Sequence, residues 1–186
     1  MHPFDSCANA TPTFIGSLSP AQAVSFEVFL SYSIGQSDLP LVANLQEQAN
    51  AAGVTLYLAD RDVRPGTNLS TKIEMAISRA EVVVALLTEK GVDSKWVNQE
   101  IGYALAKQKV VVPLVEEGVD VPGMLVGREY VGFRRDRFSE ALERVTRYLE
   151  HLKSKVDERV RQTMEAIAVI ILIIFVVVLL VLVALS

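Results

Sequence analysis

One stretch of the sequence, residues 81–104, places an apolar strand before an amphipathic helix, and its letters are EVVVALLTEKGVDSKWVNQEIGYA. Val82–Leu87 carries no polar side chain, which is typical of a strand that is buried on both faces of a parallel sheet. Asp93 or Ser94 can cap the helix that follows. Its apolar residues recur at helical spacing and form one stripe: Val97, Ile101, Ala104 and Leu105. A buried strand followed by a helix is the repeating unit of an α/β fold.

The same alternation continues from Phe26 to about residue 150. The sequence predicts strands at 26–32, 54–59, 81–87, 109–115 and 129–133. It predicts helices at 38–52, from Thr71 in a capping box with Glu74, from Asp93, and from Asp136 onward. Strict alternation of this kind predicts a doubly wound, flavodoxin-like parallel sheet of five strands with helices on both faces.

The helix that begins near Asp93 carries Trp96 and Glu100 four residues apart, so the two side chains share one helical face. We expect this face to lie beside the apolar stripe, with little contribution from Glu100 to core packing. In parallel sheets, ligands bind beyond the carboxyl ends of the strands, at the switch point in strand order. Glu100 lies near that edge and is the candidate functional carboxylate; an ordinary solvated glutamate is the alternative.

Composition excludes several classes of function. The net charge of −4 and the pI near 5.3 argue against nucleic acid as a partner, because phosphate binding requires a basic surface. One cysteine and two distant histidines predict neither a disulfide nor a metal site. The first strand is followed by no G-x-G-x-x-G and the chain has no P-loop, so we expect neither a Rossmann cofactor nor an NTPase site.

The two ends of the chain differ from its centre. Residues 1–25 carry no Lys or Arg and no continuous apolar core, and we expect a disordered leader rather than a secretory signal. Residues 166–185 are all apolar, and as a helix they would span roughly 30 Å, the thickness of bilayer hydrocarbon. The sequence thus predicts a folded domain at 26–150, a juxtamembrane helix at 151–165 and a single-pass transmembrane anchor at 166–185. Arg159 and Arg161 favour a cytoplasmic domain.

Four short motifs stand out in the predicted domain: FEVFLSY at 26–32, RDVRPG at 61–66, KWVNQEI at 95–101, and Gly132 with Phe133. With these motifs the domain resembles the Toll/interleukin-1 receptor (TIR) family, in its NAD-cleaving, bacterial-type branch. Residues 26–32, FEVFLSY, resemble the first sequence box of the family, and residues 61–66, RDVRPG, resemble its second box. Residues 95–101, KWVNQEI, resemble the W-V-x-x-E-I segment of the branch that cleaves NAD. Gly132 and Phe133 resemble a remnant of the third box. The resemblance covers about residues 26–148.

The resemblance implies roles for individual residues. It assigns the catalytic carboxylate to Glu100 and the lining of the nucleotide pocket to Tyr32 and Ser33. Some NAD-cleaving relatives have Arg where this chain has Ser33 and Ile34. It also implies that the loop after the second strand reaches a neighbouring protomer, here with Arg64, Pro65 and Gly66.

The chemistry of NAD+ suggests two further roles. Arg61, together with the Arg64 of the assembly loop, could meet the pyrophosphate, and Trp96 could pack against the substrate. For the two arginines the alternative is a solvated loop or a protein–protein contact, and for Trp96 it is a core tryptophan beside the helix.

The function that the resemblance implies is cleavage of NAD+, a substrate rather than a cofactor, to ADP-ribose or a cyclic product. It implies activation by self-association at the lipid bilayer, in a defence or cell-death pathway. The alternative is a non-catalytic TIR scaffold that signals by assembly. A response-regulator receiver has the same topology but needs an acidic pair after the first strand, where this chain has Ser31, Tyr32 and Ser33.

Overall fold

The computed structural model describes residues 26–58 and 69–185, and a five-stranded parallel sheet forms its centre. The strands are β1 (Glu27–Ser31), β2 (Thr55–Leu58), β3 (Val82–Leu87), β4 (Val110–Glu116) and β5 (Val131–Phe133). Their order in space is β2-β1-β3-β4-β5, so the direction of winding reverses between β1 and β3. The predicted parallel five-stranded sheet is confirmed, with each strand boundary within two residues of its expected position.

Helices cover both faces of this sheet. They are α1 (Leu39–Ala51), α2 (Leu69–Arg79), α3 (Glu89–Val92), α4 (Lys95–Ala106) and α5 (Phe138–Leu185). Side chains along a strand alternate between the two faces. Val28 and Leu30 therefore join the apolar cluster beneath α1 and α5, whereas Phe29 joins the cluster beneath α2 and α4. β3 is buried along its whole length, as its unbroken apolar run predicts.

Three local expectations differ from the structure. The α2 helix already includes Leu69, so the capping box predicted at Thr71 is wrong; a capping residue needs non-helical backbone, and Thr71 lies inside the helix. The short α3 helix was not predicted because four residues are too few to show a helical period. A 3₁₀ turn at Arg135–Arg137 delays the start of α5 from the expected Asp136 to Phe138.

The α5 helix is continuous over 48 residues and has two parts. Its first part packs on the sheet through a buried stripe: Phe138, Ala141, Leu142, Val145 and Leu149. Where it passes the amino ends of the strands, Lys153 Nζ donates to the carbonyl of Gly53 at 2.7 Å. Its last part is apolar and long enough to cross a membrane, and its described side chains pack against nothing in the domain. The expected run of this helix from the domain into the apolar segment is confirmed.

Candidate functional site

Side chains cap the first turn of the α4 helix and determine the residue at which it begins. That point lies at the carboxyl edge of the sheet, because α4 follows the end of β3. Ser94 is the residue that caps it: its Oγ accepts from the backbone N–H of Val97 at 3.4 Å. The Asn98 amide donates to the carbonyls of Val92 and Ser94, at 2.8 and 3.0 Å. The bond from Val97 satisfies an N–H that the start of α4 leaves unpaired, and the bond to Val92 ties the first turn of α4 to the end of α3. Together they fix where the second turn, with Glu100, lies.

Glu100 is buried, with 3% of its surface exposed, which corrects the expectation that it lies outside the packed face of α4. The face that α4 turns toward the sheet is wide enough to include position 100 as well as Val97 and Ile101, both fully buried. Ser31, the last residue of β1, is also fully buried, and its hydroxyl donates to Glu100 Oε2 at 2.5 Å. A bond of this length from a hydroxyl to a carboxylate is typical of a charge-assisted hydrogen bond and holds the carboxylate in place.

A cavity of about 220 Å³ opens between α2 and α4 beside this carboxylate. Its described lining consists of apolar, aromatic and acidic side chains and one amide: Ile73, Glu74, Ile77, Trp96, Gln99, Glu100 and Tyr103. This volume lies below the roughly 300–1,000 Å³ of pockets that enclose a drug-sized ligand, so the cavity suits one substituted aromatic ring better than a whole dinucleotide. Trp96 is 48% exposed, so it lines the cavity at its rim and is not the core tryptophan that was the alternative.

The other predicted site residues lie elsewhere or outside the described part of the chain. Tyr32 is half-buried against the cluster beneath α1 and α5, on the opposite face of the sheet from Glu100. Ser33 is half-buried in the loop after β1. Neither is among the described residues that line the cavity. The loop residues of the second box, with Arg61 and the predicted assembly residues Arg64, Pro65 and Gly66, lie outside the described residues, as does the leader at 1–25.

Ser31 is the site residue that the sequence reasoning missed, although the sequence carries a signal for it. Strand side chains alternate, so Ser31 shares a face with Phe29 and must point toward α4. A polar residue at a buried position, at the carboxyl end of the strand beside the switch point, is unusual unless it has a partner. In the sheet Ser31 lies level with Ala85 of β3, directly beneath the helix that carries Glu100.

A second polar cluster holds the loop after β1 in place. Asp38 is 1% exposed, and its carboxylate accepts from Thr88 Oγ1 at 2.7 Å and from Arg135 Nη2 at 2.9 Å. The same guanidinium donates to both carboxylate oxygens of Glu116 and to the carbonyl of Ser37. The hydrogen bond to Glu116, together with Asp38, raises the pKa of Arg135 above its ordinary value, so this side chain stays charged. The cluster joins the ends of β3 and β4 to the starts of α1 and α5.

Removing the charge of Arg135 is expected to destabilise the domain. Arg135→Met leaves the buried Asp38 carboxylate without its cation and should lower the free energy of unfolding by about 2–3 kcal/mol, less than for a fully buried pair because Arg135 is partly exposed. Denaturant unfolding measures the change. Arg134→Met is the matched control, since Arg134 pairs with Asp136 on the surface and its loss should change stability little. Equal stability of the two variants would contradict a structural role for the cluster.

Comparison with known proteins decides the family. A model of the TIR domain matches residues 28–146, well over half of the chain. The chain belongs to the TIR domain family. Its relatives include a protein of Brachypodium distachyon named probable 2′ cyclic ADP-D-ribose synthase BdTIR, 25% identical over 89 residues. That match covers 48% of this chain and 40% of the relative, so the aligned part spans about two fifths of the relative's length.

Solved structures share the fold of this TIR domain. The TIR domain of the Toll-related receptor TRR-2 from Hydra magnipapillata superposes with a TM-score of 0.55 and 18% identity, over 66% of this chain and 96% of that one. The CMP N-glycosidase BcmB of Clostridium botulinum superposes with a TM-score of 0.52 and 19% identity, over 66% and 98% of the two chains. At these identities the likeness shows the fold alone.

Proposed function

We propose that this TIR domain cleaves NAD+ between nicotinamide and its ribose, with Glu100 as the catalytic carboxylate. The observation that carries the proposal is a nearly fully buried carboxylate in the wall of a cavity between α2 and α4, held by the Ser31 hydroxyl at the carboxyl end of β1, one of the two strands of the switch point. The name of the Brachypodium relative supports it, because ADP-ribose is the part of NAD+ that remains when nicotinamide leaves.

The reaction suits a site with one fixed carboxylate. The bond between ribose C1′ and the nicotinamide nitrogen breaks, and its electron pair moves to the nitrogen, so the positively charged ring leaves as a neutral base without a general acid. Positive charge then develops on C1′ and the ring oxygen of the ribose. The Glu100 carboxylate stabilises that charge by electrostatics, most effectively in a site that excludes water. Attack of water on C1′ gives ADP-ribose, and attack of a hydroxyl of the same molecule gives a cyclic product; in both cases the attacking oxygen releases its proton to solvent.

Ser31 is assigned a positioning role, because its hydroxyl contacts Glu100. Ser31→Ala should lower kcat for nicotinamide release roughly tenfold and leave KM nearly unchanged, since a carboxylate that is free to turn stabilises the transition state less well. Ser154→Ala in α5 is the matched control, because that exposed hydroxyl donates to the carbonyl of His151 on the same helix, away from Glu100. A proportional loss of kcat and of folded protein would indicate that Ser31 is only structural.

We further propose that the segment 166–185 anchors the domain in a lipid bilayer, with the domain on the cytoplasmic side. The α5 helix passes the amino ends of the strands at Lys153, about 20 Å of helix before the apolar segment begins. In that interval Arg161 pairs with Glu158 at 2.9 Å and with Glu165 at 3.1 Å, which supports a continuous helix. The hydrogen bond from Arg161 also lowers the pKa of Glu158.

This geometry has a consequence for the site. Glu100 contacts Ser31 at the carboxyl end of β1, whereas α5 passes the amino ends of the strands at Lys153, so Glu100 and the apolar segment lie toward opposite edges of the sheet. Copies anchored in the same bilayer would hold their domains at the same distance from its surface, where the domains can contact one another laterally. We propose that this lateral self-association activates the enzyme and that it acts in a defence or cell-death pathway, as the family resemblance implies.

The test of the proposed function is incubation of the full-length, detergent-solubilised protein with NAD+ and identification of the products by mass spectrometry. We expect nicotinamide in equal amount to ADP-ribose or to a cyclic form of it. Intact NAD+ at every protein concentration would instead favour the non-catalytic scaffold.

A further inference from the structure

We infer that Glu74 makes the cavity between α2 and α4 selective for the oxidised, positively charged form of the nicotinamide dinucleotide over the reduced form. The inference rests on the proposed function, since it takes the nicotinamide end of NAD+ to be what enters this cavity. It concerns a residue on α2, the helix opposite the one that carries Glu100.

The position of Glu74 follows from the packing of its helix. Ile73 and Ile77 of α2 are buried, with 6% and 0% of their surface exposed, and both line the cavity. Glu74 lies next to Ile73 and one turn before Ile77, so it lines the same cavity from the solvent-exposed side of α2. Glu100 lines it from α4. Two carboxylates thus contribute to the wall from opposite helices.

The remaining lining indicates what kind of group the cavity suits. Trp96 provides aromatic surface at the rim and Gln99 provides an amide. The described lining contains no Lys or Arg, although Lys107 Nζ lies 5.4 Å from the centroid of the Tyr103 ring, which also lines the cavity. A flat ring with a positive charge and a carboxamide matches each of these features: aromatic faces attract cations, and carboxylates attract them more strongly.

Oxidised and reduced nicotinamide differ in charge, and charge is the property to which the carboxylates of this wall respond. The oxidised ring is a pyridinium with one positive charge, whereas the reduced ring is neutral; the ribose, the pyrophosphate and the adenosine are the same in both. Selectivity is a difference in affinity, and the Glu74 carboxylate adds attraction for only one of the two. The reduced form lacks the pyridinium that makes nicotinamide a good leaving group, so its exclusion keeps the site free for substrate.

The charge of the ring also predicts which kinetic constant Glu74 affects. As the glycosidic bond breaks, positive charge moves from the ring to the ribose, next to Glu100 and away from Glu74. Glu74 therefore stabilises bound substrate more than the transition state, so its loss should raise KM without lowering kcat. The neutral nicotinamide that is formed is no longer attracted by Glu74, which favours its release.

The experiment compares Glu74→Gln with Glu47→Gln, a control of the same chemistry on the exposed side of α1 across the sheet. For the full-length protein in detergent, KM for NAD+ and the inhibition constant of NADH are measured together. We expect Glu74→Gln to raise KM roughly fivefold, to raise kcat by a smaller factor and to leave the inhibition constant of NADH nearly unchanged, as removal of one exposed charge that favours bound substrate would do. The ratio of the NADH inhibition constant to KM for NAD+ should thus fall roughly fivefold. Glu47→Gln should leave this ratio unchanged.

Binding without turnover separates this inference from the proposed function. In the Glu100→Gln background, calorimetry gives the Kd of NAD+ and of NADH with and without Glu74→Gln. The same roughly fivefold fall in selectivity supports the inference even if the wild-type protein cleaves nothing, an outcome that would overturn only the proposed function. Unchanged selectivity, or equal weakening of both ligands, would overturn the inference and leave the cleavage reaction intact.

Discussion

Replacement of Glu100 by glutamine is expected to lower kcat for NAD+ cleavage roughly a thousandfold while the domain stays folded. Glutamine has the shape of glutamate and keeps an oxygen that can accept the Ser31 hydroxyl, which lies 2.5 Å from Glu100 in the wild-type domain. It lacks the negative charge that stabilises the developing charge on the ribose. Nicotinamide release measures the loss, and thermal unfolding checks the fold.

Alanine at the same position is a less specific variant, because Glu100 is buried. Glu100→Ala removes the packing of the side chain and leaves the buried Ser31 hydroxyl without this acceptor, which should cost about 1–3 kcal/mol of folding free energy. Glu143→Gln, an exposed glutamate of α5, is the matched control for the glutamine variant. Undiminished cleavage by Glu100→Gln would remove Glu100 from the mechanism.

Deletion of residues 166–186 is expected to release the domain from membranes and to lower its activity per molecule in dilute solution roughly a hundredfold. The buried core clusters of the described chain end at Leu149, so the truncated domain keeps its packing. Confinement to a membrane raises the effective concentration of neighbouring copies and limits their orientations, without any new contact. Specific activity is measured against dilution, for the truncated domain free and tethered to liposomes.

The tethered domain serves as the control for this experiment, because it has the same sequence and differs only in its confinement. Activity per molecule should rise steeply with concentration in solution and should stay high on the liposomes. A flat dependence with the same turnover in both states would mean that each monomer carries a complete site, and activation by assembly would have to be abandoned.

The sheet could be predicted because each of its strands carries an independent signal. The apolar run Val82–Leu87 predicts a buried strand, and the helical spacing of the α4 stripe predicts a helix. The positions of both are confirmed. The errors lie where periodicity gives no information, as in the four residues of α3. The pairing of Asp38 with Arg135, 97 residues later, depends on which strand ends lie side by side in the sheet. No local sequence pattern indicates that arrangement.

The candidate site could be predicted only in part. The spacing of Trp96 and Glu100 indicated a shared helical face, and both residues line one cavity. The burial of Glu100 was not foreseen because the width of a helical contact depends on the surface that it packs against. Glu74 was considered only as a capping partner, since its place in the cavity wall requires the packing of α2 against α4.

The central claim, that Glu100 is the catalytic residue in the cleavage of NAD+, is tested most directly with full-length protein reconstituted at high density in liposomes. At that density neighbouring copies can assemble, so a requirement for assembly is met. Wild-type protein and Glu100→Gln are incubated with NAD+ side by side, and nicotinamide and the adenine-containing product are counted by mass spectrometry. We predict equal amounts of the two products from the wild-type protein and almost none from Glu100→Gln. Intact NAD+ in both samples, or equal consumption in both, would contradict the claim.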